Sequence, residues 1–180
     1  MKNKVAISVL ALLVSASAFA VTPAKYDTKF NVSANVPEGA YITNPDGTPV
    51  TDVDIELIAN AASGKMEAES PMLSIWNNDA SKLDVSVIMD DSVVAKGSKF
   101  TLNSTQDGRL QKMTYNISTV TDGPQQSFIN SGDSKDFTLT ANGTHGELPI
   151  VFRFVSDADY KTLGQGKYTG VVYANVNAKP

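Results

Sequence analysis

The chain has 180 residues, no cysteine and a formal net charge of −4. The missing cysteines exclude disulfides, so packing and backbone pairing must hold the fold together. An acidic balance argues against a nucleic-acid partner, because phosphate binding needs a basic surface. The length fits a single domain with one hydrophobic core.

Residues 1–20 have the pattern of a secretory signal peptide. Lys2 and Lys4 precede an apolar run, and small residues end at Ala20. The run is shorter than the roughly 20 residues that span a bilayer, and no later segment approaches that length. We therefore predict an exported chain, cleaved after Ala20, with no membrane span. Its 160 remaining residues would carry 13 basic and 19 acidic side chains.

Residues 25–36, KYDTKFNVSANV, alternate apolar or small side chains with polar ones. This period of two predicts a strand with one face buried. Turn-forming residues follow at 37–39 and 44–49, so no tight hairpin brings the next strand alongside. The partner is expected in a distant part of the chain or in another copy. The face to be buried consists of Tyr26, Thr28, Phe30, Val32, Ala34 and Val36.

Short runs with the same period continue along the chain and are separated by turn-forming residues. Together they predict an antiparallel all-β sandwich. The runs are residues 53–57, 73–75, 83–89, 113–117, 137–141, 148–155 and 168–176. Residues 58–66, which contain three alanines and Gly64, are interpreted as a loop. Residues 157–163 are expected to form a single helical turn at most.

The sequence contains no recognisable catalytic set. His145 is the only histidine, is expected in a surface loop, and no activating motif surrounds any serine. Zinc is disfavoured because one histidine without cysteine leaves only carboxylates as further ligands. The pair Asp90 and Asp91 is interpreted as solvated turn acids. We expect a non-enzyme without metal or cofactor.

Trp76 is the only tryptophan and ends a predicted strand. It is interpreted as a core residue, with stacking on a sugar of a receptor as the weaker alternative.

Four features together resemble one known family, the class 5 (colonisation factor antigen type) major fimbrial subunits of the alternate chaperone/usher pathway. They are the strand KFNVSANV soon after the predicted cleavage, NDASK at 78–82 leading into LDVSVIMDD, GKYTGVV at 166–172, and the absence of cysteine. The resemblance implies an immunoglobulin-like sandwich that lacks one strand and is completed by donor-strand exchange. The expected organisation is a signal peptide (1–20), an N-terminal donor strand (21–36) and a pilin domain (37–180).

The resemblance also implies the partners and the location. The partners would be other copies in a fibre, a periplasmic chaperone, an outer-membrane usher and a tip adhesin subunit. The product would be a cell-surface fimbrium, reached through the periplasm and used for adhesion to host cells. The edge that pairs with the chaperone and then with the donor strand would carry Tyr168, Val172, Ala174 and Val176.

Two other functions remain open at this point. A single-domain surface or tip adhesin with a lectin-like sandwich would use Trp76 or the loop 122–126. A small periplasmic hydrolase would need a catalytic set that the sequence does not contain.

Overall fold

The computed structural model describes residues 30–33, 39–105, 112–121, 123 and 125–180. The predicted signal peptide and four residues of the predicted donor face, Tyr26, Thr28, Ala34 and Val36, lie outside this part. The chain divides into two compact units, Met1–Asn35 and Val36–Pro180. Within the first unit, residues 30–33 carry no regular secondary structure. The described helical residues include no stretch long and apolar enough for a bilayer crossing.

The described residues of the second unit form strands and one turn of 3₁₀-helix, Tyr160–Thr162, within the region predicted as a single turn. The strands are β1 (Ala40–Thr43), β2 (Ile58–Asn60), β3 (Lys65–Glu69), β4 (Leu73–Asn77), β5 (Asp84–Asp91), β6 (Phe100–Ser104), β7 (Lys112–Val120), β8 (Ser127–Phe128), β9 (Asp133–Thr138), β10 (Thr140–Asn142), β11 (His145–Ser156), β12 (Tyr168–Thr169) and β13 (Val172–Ala178).

These strands form two antiparallel sheets. The larger sheet has the order β1-β4-β11-β7-β6-β12, with β2, β3, β8 and β10 attached to it. The smaller sheet has the order β13-β5-β9. The predicted immunoglobulin-like antiparallel sandwich is therefore confirmed, and it is incomplete at one edge of the smaller sheet.

The core lies between the inner faces of the two sheets. On β5 every second side chain is buried, with Val85 and Val87 fully covered. On β7, Met113, Tyr115 and Ile117 are buried in the same way. Each large apolar side chain buried like this contributes about 1.5 to 3 kcal/mol. The period of two thus identified these strands correctly.

The interpretation of residues 58–66 as a loop is wrong. Strands β2 and β3 form a hairpin there, and Gly64 turns the chain with a φ of 73°. The hairpin depends on a distant partner, because β3 pairs with β11 and Arg153 Nη2 donates to Glu67 Oε2 at 2.9 Å. Local alternation could not reveal this, since the alanines carry no periodic signal.

The predicted single strand over residues 168–176 is also wrong. Tyr168 lies in β12, which pairs with β6 in the larger sheet, whereas β13 pairs with β5 in the smaller sheet. The chain changes sheets at Gly170. A Cβ at this glycine would lie 2.8 Å from Leu102 Cδ2 and 3.0 Å from the Thr101 carbonyl oxygen. The close approach needs a residue without a side chain.

The sequence predicts a strand over residues 53–57. In the structure, the burial of the side chains alternates along residues 51–57. Val53, Ile55 and Leu57 are half-buried, and the residues between them are exposed. No backbone ladder joins this segment to another strand within the described residues. It has the pattern of a strand without a partner.

We expect Gly170→Ala to lower the free energy of unfolding by about 1 to 3 kcal/mol, because the added methyl group overpacks the crossing between the sheets. Gly123→Ala is the matched control, since its nearest contact would be Thr121 Oγ1 at 3.6 Å. Urea unfolding of both variants measures the difference. Equal stabilities of the two variants would contradict this account of the crossing.

The free energy of unfolding should depend on pH through the ionisation of Asp157. Partial burial alone would raise the pKa of Asp157, but hydrogen bonds from Lys99 Nζ at 2.8 Å and Asn116 Nδ2 at 2.6 Å lower it on balance. A carboxyl group with a lowered pKa stabilises the fold above its unfolded value of about 3.9, and the contribution is lost as the pH falls through the folded value.

Asp157→Asn is therefore expected to cost about 1 kcal/mol at neutral pH and less below pH 3. Asp136→Asn, at an exposed ion pair with Lys179, serves as the control and should change little at any pH. Chemical unfolding across the pH range measures both. A cost for Asp157→Asn that does not shrink in acid would contradict the assignment.

Candidate functional site

The outer edge of β13 has no strand partner among the described residues. Val171 O accepts from Ser92 N and Lys179 N donates to Asp84 O, both at 2.9 Å, so the odd-numbered residues direct their backbone groups toward β5. Backbone groups alternate in direction along an antiparallel strand. The even-numbered residues Val172, Ala174, Val176 and Ala178 therefore present their N–H and C=O groups at the free edge.

This edge lacks the usual protection against pairing with other chains. Natural sheets protect their edges with charged side chains or very short strands. At the opposite edge of the smaller sheet, β9 carries Asp133, Lys135 and Asp136. In contrast β13 is seven residues long and its sequence, VYANVNA, contains no charge. The edge of β13 therefore has neither of these two protections.

The apolar face of β13 is incompletely covered at the same edge. Val172 and Val176 pack against the core but are only half-buried, and Ala174 on the same face is exposed. On the neighbouring strand β5, Val85 and Val87 have no exposed surface and Met89 is 2% exposed. The interior is therefore covered as far as β5, and the apolar face of β13 is the part that stays partly exposed.

Strand β1 lies close to β13. Cα atoms of β1 and β13 come within 8 Å, although no backbone ladder joins the two strands. Ala40 pairs with Asn77, and Asn77 Nδ2 donates to Lys82 O at 2.7 Å. Asp84, two residues after Lys82, accepts at its carbonyl oxygen from the backbone N–H of Lys179. The start of β1 therefore lies at the C-terminal end of β13. We refer to the free edge of β13 and the part of β1 beside it as the β1–β13 seam.

The sequence analysis did not identify β1 as part of a site. Its four residues, AYIT, lie between two turn-forming stretches, and so short a run gives no measurable alternation. Only the hydrogen-bonded register with β4 defines it as a strand.

The described part of the predicted donor strand presents its apolar side chains to solvent. Phe30 is 80% exposed and Val32 is 90% exposed. Large apolar side chains with this exposure in a single chain are candidates for burial against a partner. The donor role of this segment stays a prediction, as does the edge role of Val172, Ala174 and Val176.

Tyr168 lies apart from the free edge, as its place in β12 requires. Its hydroxyl group donates to Gly164 O at 2.8 Å. Tyr168 is therefore not on the strand whose edge is free, and any role of Tyr168 in the predicted chaperone and donor-strand edge would have to be indirect.

Trp76 is engaged in contacts within the protein. Its ring stacks on His145 with centroids 3.7 Å apart and planes 10° apart, and Nε1 donates to Asn78 Oδ1 at 3.0 Å. Gly47 lies against the outer atoms of the six-membered ring, where a Cβ would be 3.3 Å from Cη2. The face stacked on the histidine is not available to a sugar. The receptor role of Trp76 stays a prediction, and the loop 122–126 is described only in part.

The sequence analysis expected His145 in a surface loop, but the structure places it in a strand. It begins β11 in the hairpin with β10, and its Nε2 lies 3.8 Å from Glu147 Oε2. Across the described residues, no group of three or more side chains with metal-binding atoms is close enough to hold an ion.

Comparison with known proteins gives structural matches alone. No family model and no curated protein matches this chain. The adhesin CfaE of CFA/I from enterotoxigenic E. coli, in a mutant form, is similar with a TM-score of 0.54 and 13% identity over 79% of this chain and 44% of that chain.

Two further structures are similar at lower TM-scores. A chaperone-tip adhesin complex of CFA/I fimbriae gives 0.43 at 12% identity, covering 79% of this chain and 42% of that one. The P pilus rod subunit PapA gives 0.42 at 16% identity, covering 78% of this chain and 99% of that one. This chain spans less than half the length of the two CFA/I chains. The likeness to CfaE supports the sandwich fold described above.

Proposed function

We propose that this chain is a structural pilin subunit, similar to class 5 major fimbrial subunits, that polymerises by donor-strand complementation. The N-terminal segment of one copy, residues 25–36, fills the β1–β13 seam of the next copy. The observation that supports this most is the free edge of β13, which is uncharged, seven residues long and partly exposed on its apolar face.

Insertion of one strand would satisfy both deficiencies of the seam. Its backbone would pair with the outward-facing groups of Val172, Ala174 and Val176, as in other cases of strand addition. Its apolar face, including Phe30 and Val32, would cover the core beside them. Burying four or five such side chains, with the ladder, gives gross terms on the order of 10 kcal/mol per junction before ordering costs.

Head-to-tail insertion makes a filament. Each copy uses one surface to donate and a different surface to accept, so the contact is heterologous and does not close on itself. Every added copy leaves a free seam or a free donor for the next one.

An open edge of this kind requires protection before assembly, because it would otherwise pair with any available strand. A periplasmic chaperone covering the seam after export would supply it, and an outer-membrane usher would replace the chaperone with the next subunit. The final location would be a cell-surface fimbrium that ends in a tip adhesin subunit and serves adhesion to host cells. The role is non-enzymatic and needs no cofactor.

The single-domain adhesin receives less support. Its candidate platform, Trp76, is stacked on His145 and hydrogen-bonded to Asn78. The exposed apolar side chains of the N-terminal segment would also be unexplained.

The first test compares the effect of a charge on each of the two faces of the proposed donor strand. Val32→Asp would place an unpaired carboxylate against the core of the next copy, a change that costs several kcal/mol. Ser33→Asp places the same charge on the opposite face and should cost no more than about 0.5 kcal/mol. The measurement is the temperature at which detergent-resistant multimers dissociate. We expect a large decrease for Val32→Asp and almost none for Ser33→Asp.

Equal dissociation temperatures of these two variants would contradict the donor assignment. A lowered melting temperature of the monomer in Val32→Asp, with no multimers in any variant, would identify residues 25–36 as an internal strand of a closed sandwich.

The second test addresses the acceptor edge. Val172→Asp places a charge on the core face of β13, whereas Tyr173→Asp places it on the outer face, where Tyr173 is 58% exposed. We expect the first variant to be lost from the periplasm and from the cell surface, because neither a chaperone nor a donor strand could cover a buried charge. Tyr173→Asp should remain near the wild-type level. Normal surface display of Val172→Asp would exclude β13 as the acceptor edge.

A further inference from the structure

A stack of two rings joins β4 to β11 on the outer face of the larger sheet. Ile75 is fully buried in the core, so its neighbour Trp76 lies on the opposite face of β4. The register places Tyr41 of β1 and Glu147 of β11 on either side of Trp76. His145 lies two residues before Glu147 on the same face of β11, and its ring stacks on the indole ring. Side chains from three adjacent strands therefore meet in one cluster.

One nitrogen of His145 lacks a hydrogen bond in this cluster. Nε2 is shielded from solvent and has no hydrogen-bond partner among the described residues. Glu147 Oε2 lies 3.8 Å from it, which is too long for a hydrogen bond. The other oxygen of this carboxyl group, Oε1, accepts from Asn142 Nδ2 at 2.7 Å, so the carboxyl group is held in place from the opposite side. The neutral imidazole thus leaves a buried polar atom unpaired, which destabilises the fold.

Gain of a proton would supply the missing contacts. Imidazole side chains change charge between about pH 5 and 8, and both nitrogens of the charged ring are donors. A shift of about 1 Å would bring Nε2 of His145 within hydrogen-bond distance of Glu147 Oε2. The charged ring would also lie over the face of the Trp76 ring, whose π electrons attract a cation. The charged form therefore makes two contacts that the neutral form lacks.

The other ionisable groups on the neighbouring segments are engaged elsewhere. Asp46, in the turn after β1, accepts hydrogen bonds within its own turn. In the turn after β4, Asp79 Oδ2 lies 3.8 Å from Lys82 Nζ, and the Tyr41 hydroxyl group donates to a side-chain oxygen of the same turn. Strand β10, which pairs with the start of β11, carries no ionisable side chain. Glu147 is therefore the carboxyl group that can pair with the imidazole ring.

We propose that His145, Glu147 and Trp76 form a pH-sensitive clamp between β4 and β11. The clamp is open while the imidazole is neutral, and it closes in mild acid when the charged ring pairs with Glu147 and stays stacked on Trp76. It extends to β1, because Tyr41 and Trp76 donate to the same atom, Asn78 Oδ1, each at 3.0 Å. The inference does not depend on the proposed function, since every contact lies within one copy of the chain.

The first measurement is the fluorescence of Trp76, which is the only tryptophan and so reports on this cluster alone. A charged imidazole against an indole ring quenches its emission by accepting an electron from the excited state. We expect the emission of the purified protein to fall in a single step between about pH 8 and 5. His145→Gln should remove the step, and Glu147→Gln should move it to lower pH, because the charged ring loses its partner. Glu69→Gln, the same change at an exposed position on β3, is the control and should leave the step unchanged.

Urea unfolding separates a clamp from a simple quencher. Between about pH 8 and 5, the unfolding equilibrium constant of the wild type should fall about tenfold relative to that of His145→Gln, which is the combined size of an ion pair and a cation–π contact. The gain is present in acid and is lost as the pH rises, because only the charged form makes both contacts. Comparison of the two proteins at the same pH cancels the titration of all other groups.

Four results would overturn this inference. They are emission that does not change with pH, a step that persists in His145→Gln, a step at the same pH in Glu147→Gln and Glu69→Gln, and equal pH dependence of unfolding in wild type and His145→Gln. If His145→Gln does not fold, the position of the step in Glu147→Gln against Glu69→Gln decides between the clamp and a structural stack without a pH response.

Discussion

One constraint stands out in the structure, which is that the outer edge of β13 has no strand beside it among the described residues. Its even-numbered residues have outward-facing N–H and C=O groups, and the apolar side chains of Val172 and Val176 are only half-buried. Each deficiency alone would be tolerable at a protein surface, since water solvates free backbone groups and small apolar patches are common. Their coincidence on an uncharged strand of seven residues is unusual, because natural edges are normally protected.

The rest of the sandwich positions this edge. Gly170 lets the chain leave β12 and enter the smaller sheet, so the last strand becomes an edge rather than a continuation of the larger sheet. β5 pairs with the inner side of β13 along its whole length and buries every second side chain, and β1 lies close to β13. A strand added from outside would find its backbone partners and its apolar floor already formed, which lowers the ordering cost of binding.

The sequence predicted the elements whose side chains alternate over many residues, such as β5 and β7, and it predicted the sandwich. It missed the β2–β3 hairpin, because that pairing depends on Arg153 and β11, far away in the chain. The stack of Trp76 on His145 was missed for the same reason, since the register of β4 with β11 brings them together. The residues predicted for the edge do not all lie on one strand. Tyr168 and Val172 share a parity, but a close backbone approach at Gly170, which no pattern encodes, places them in different sheets.

The central claim is that the free edge of β13 becomes paired when copies assemble, and amide hydrogen exchange tests it most directly. The amides of Tyr173 and Asn175, bonded toward β5, should be protected both in the isolated subunit and in the fibre. The amides of Val172, Ala174 and Val176 should exchange rapidly in the isolated subunit and become protected in the fibre. Rapid exchange of these three amides in assembled fibres, or full protection in the isolated subunit, would contradict the account.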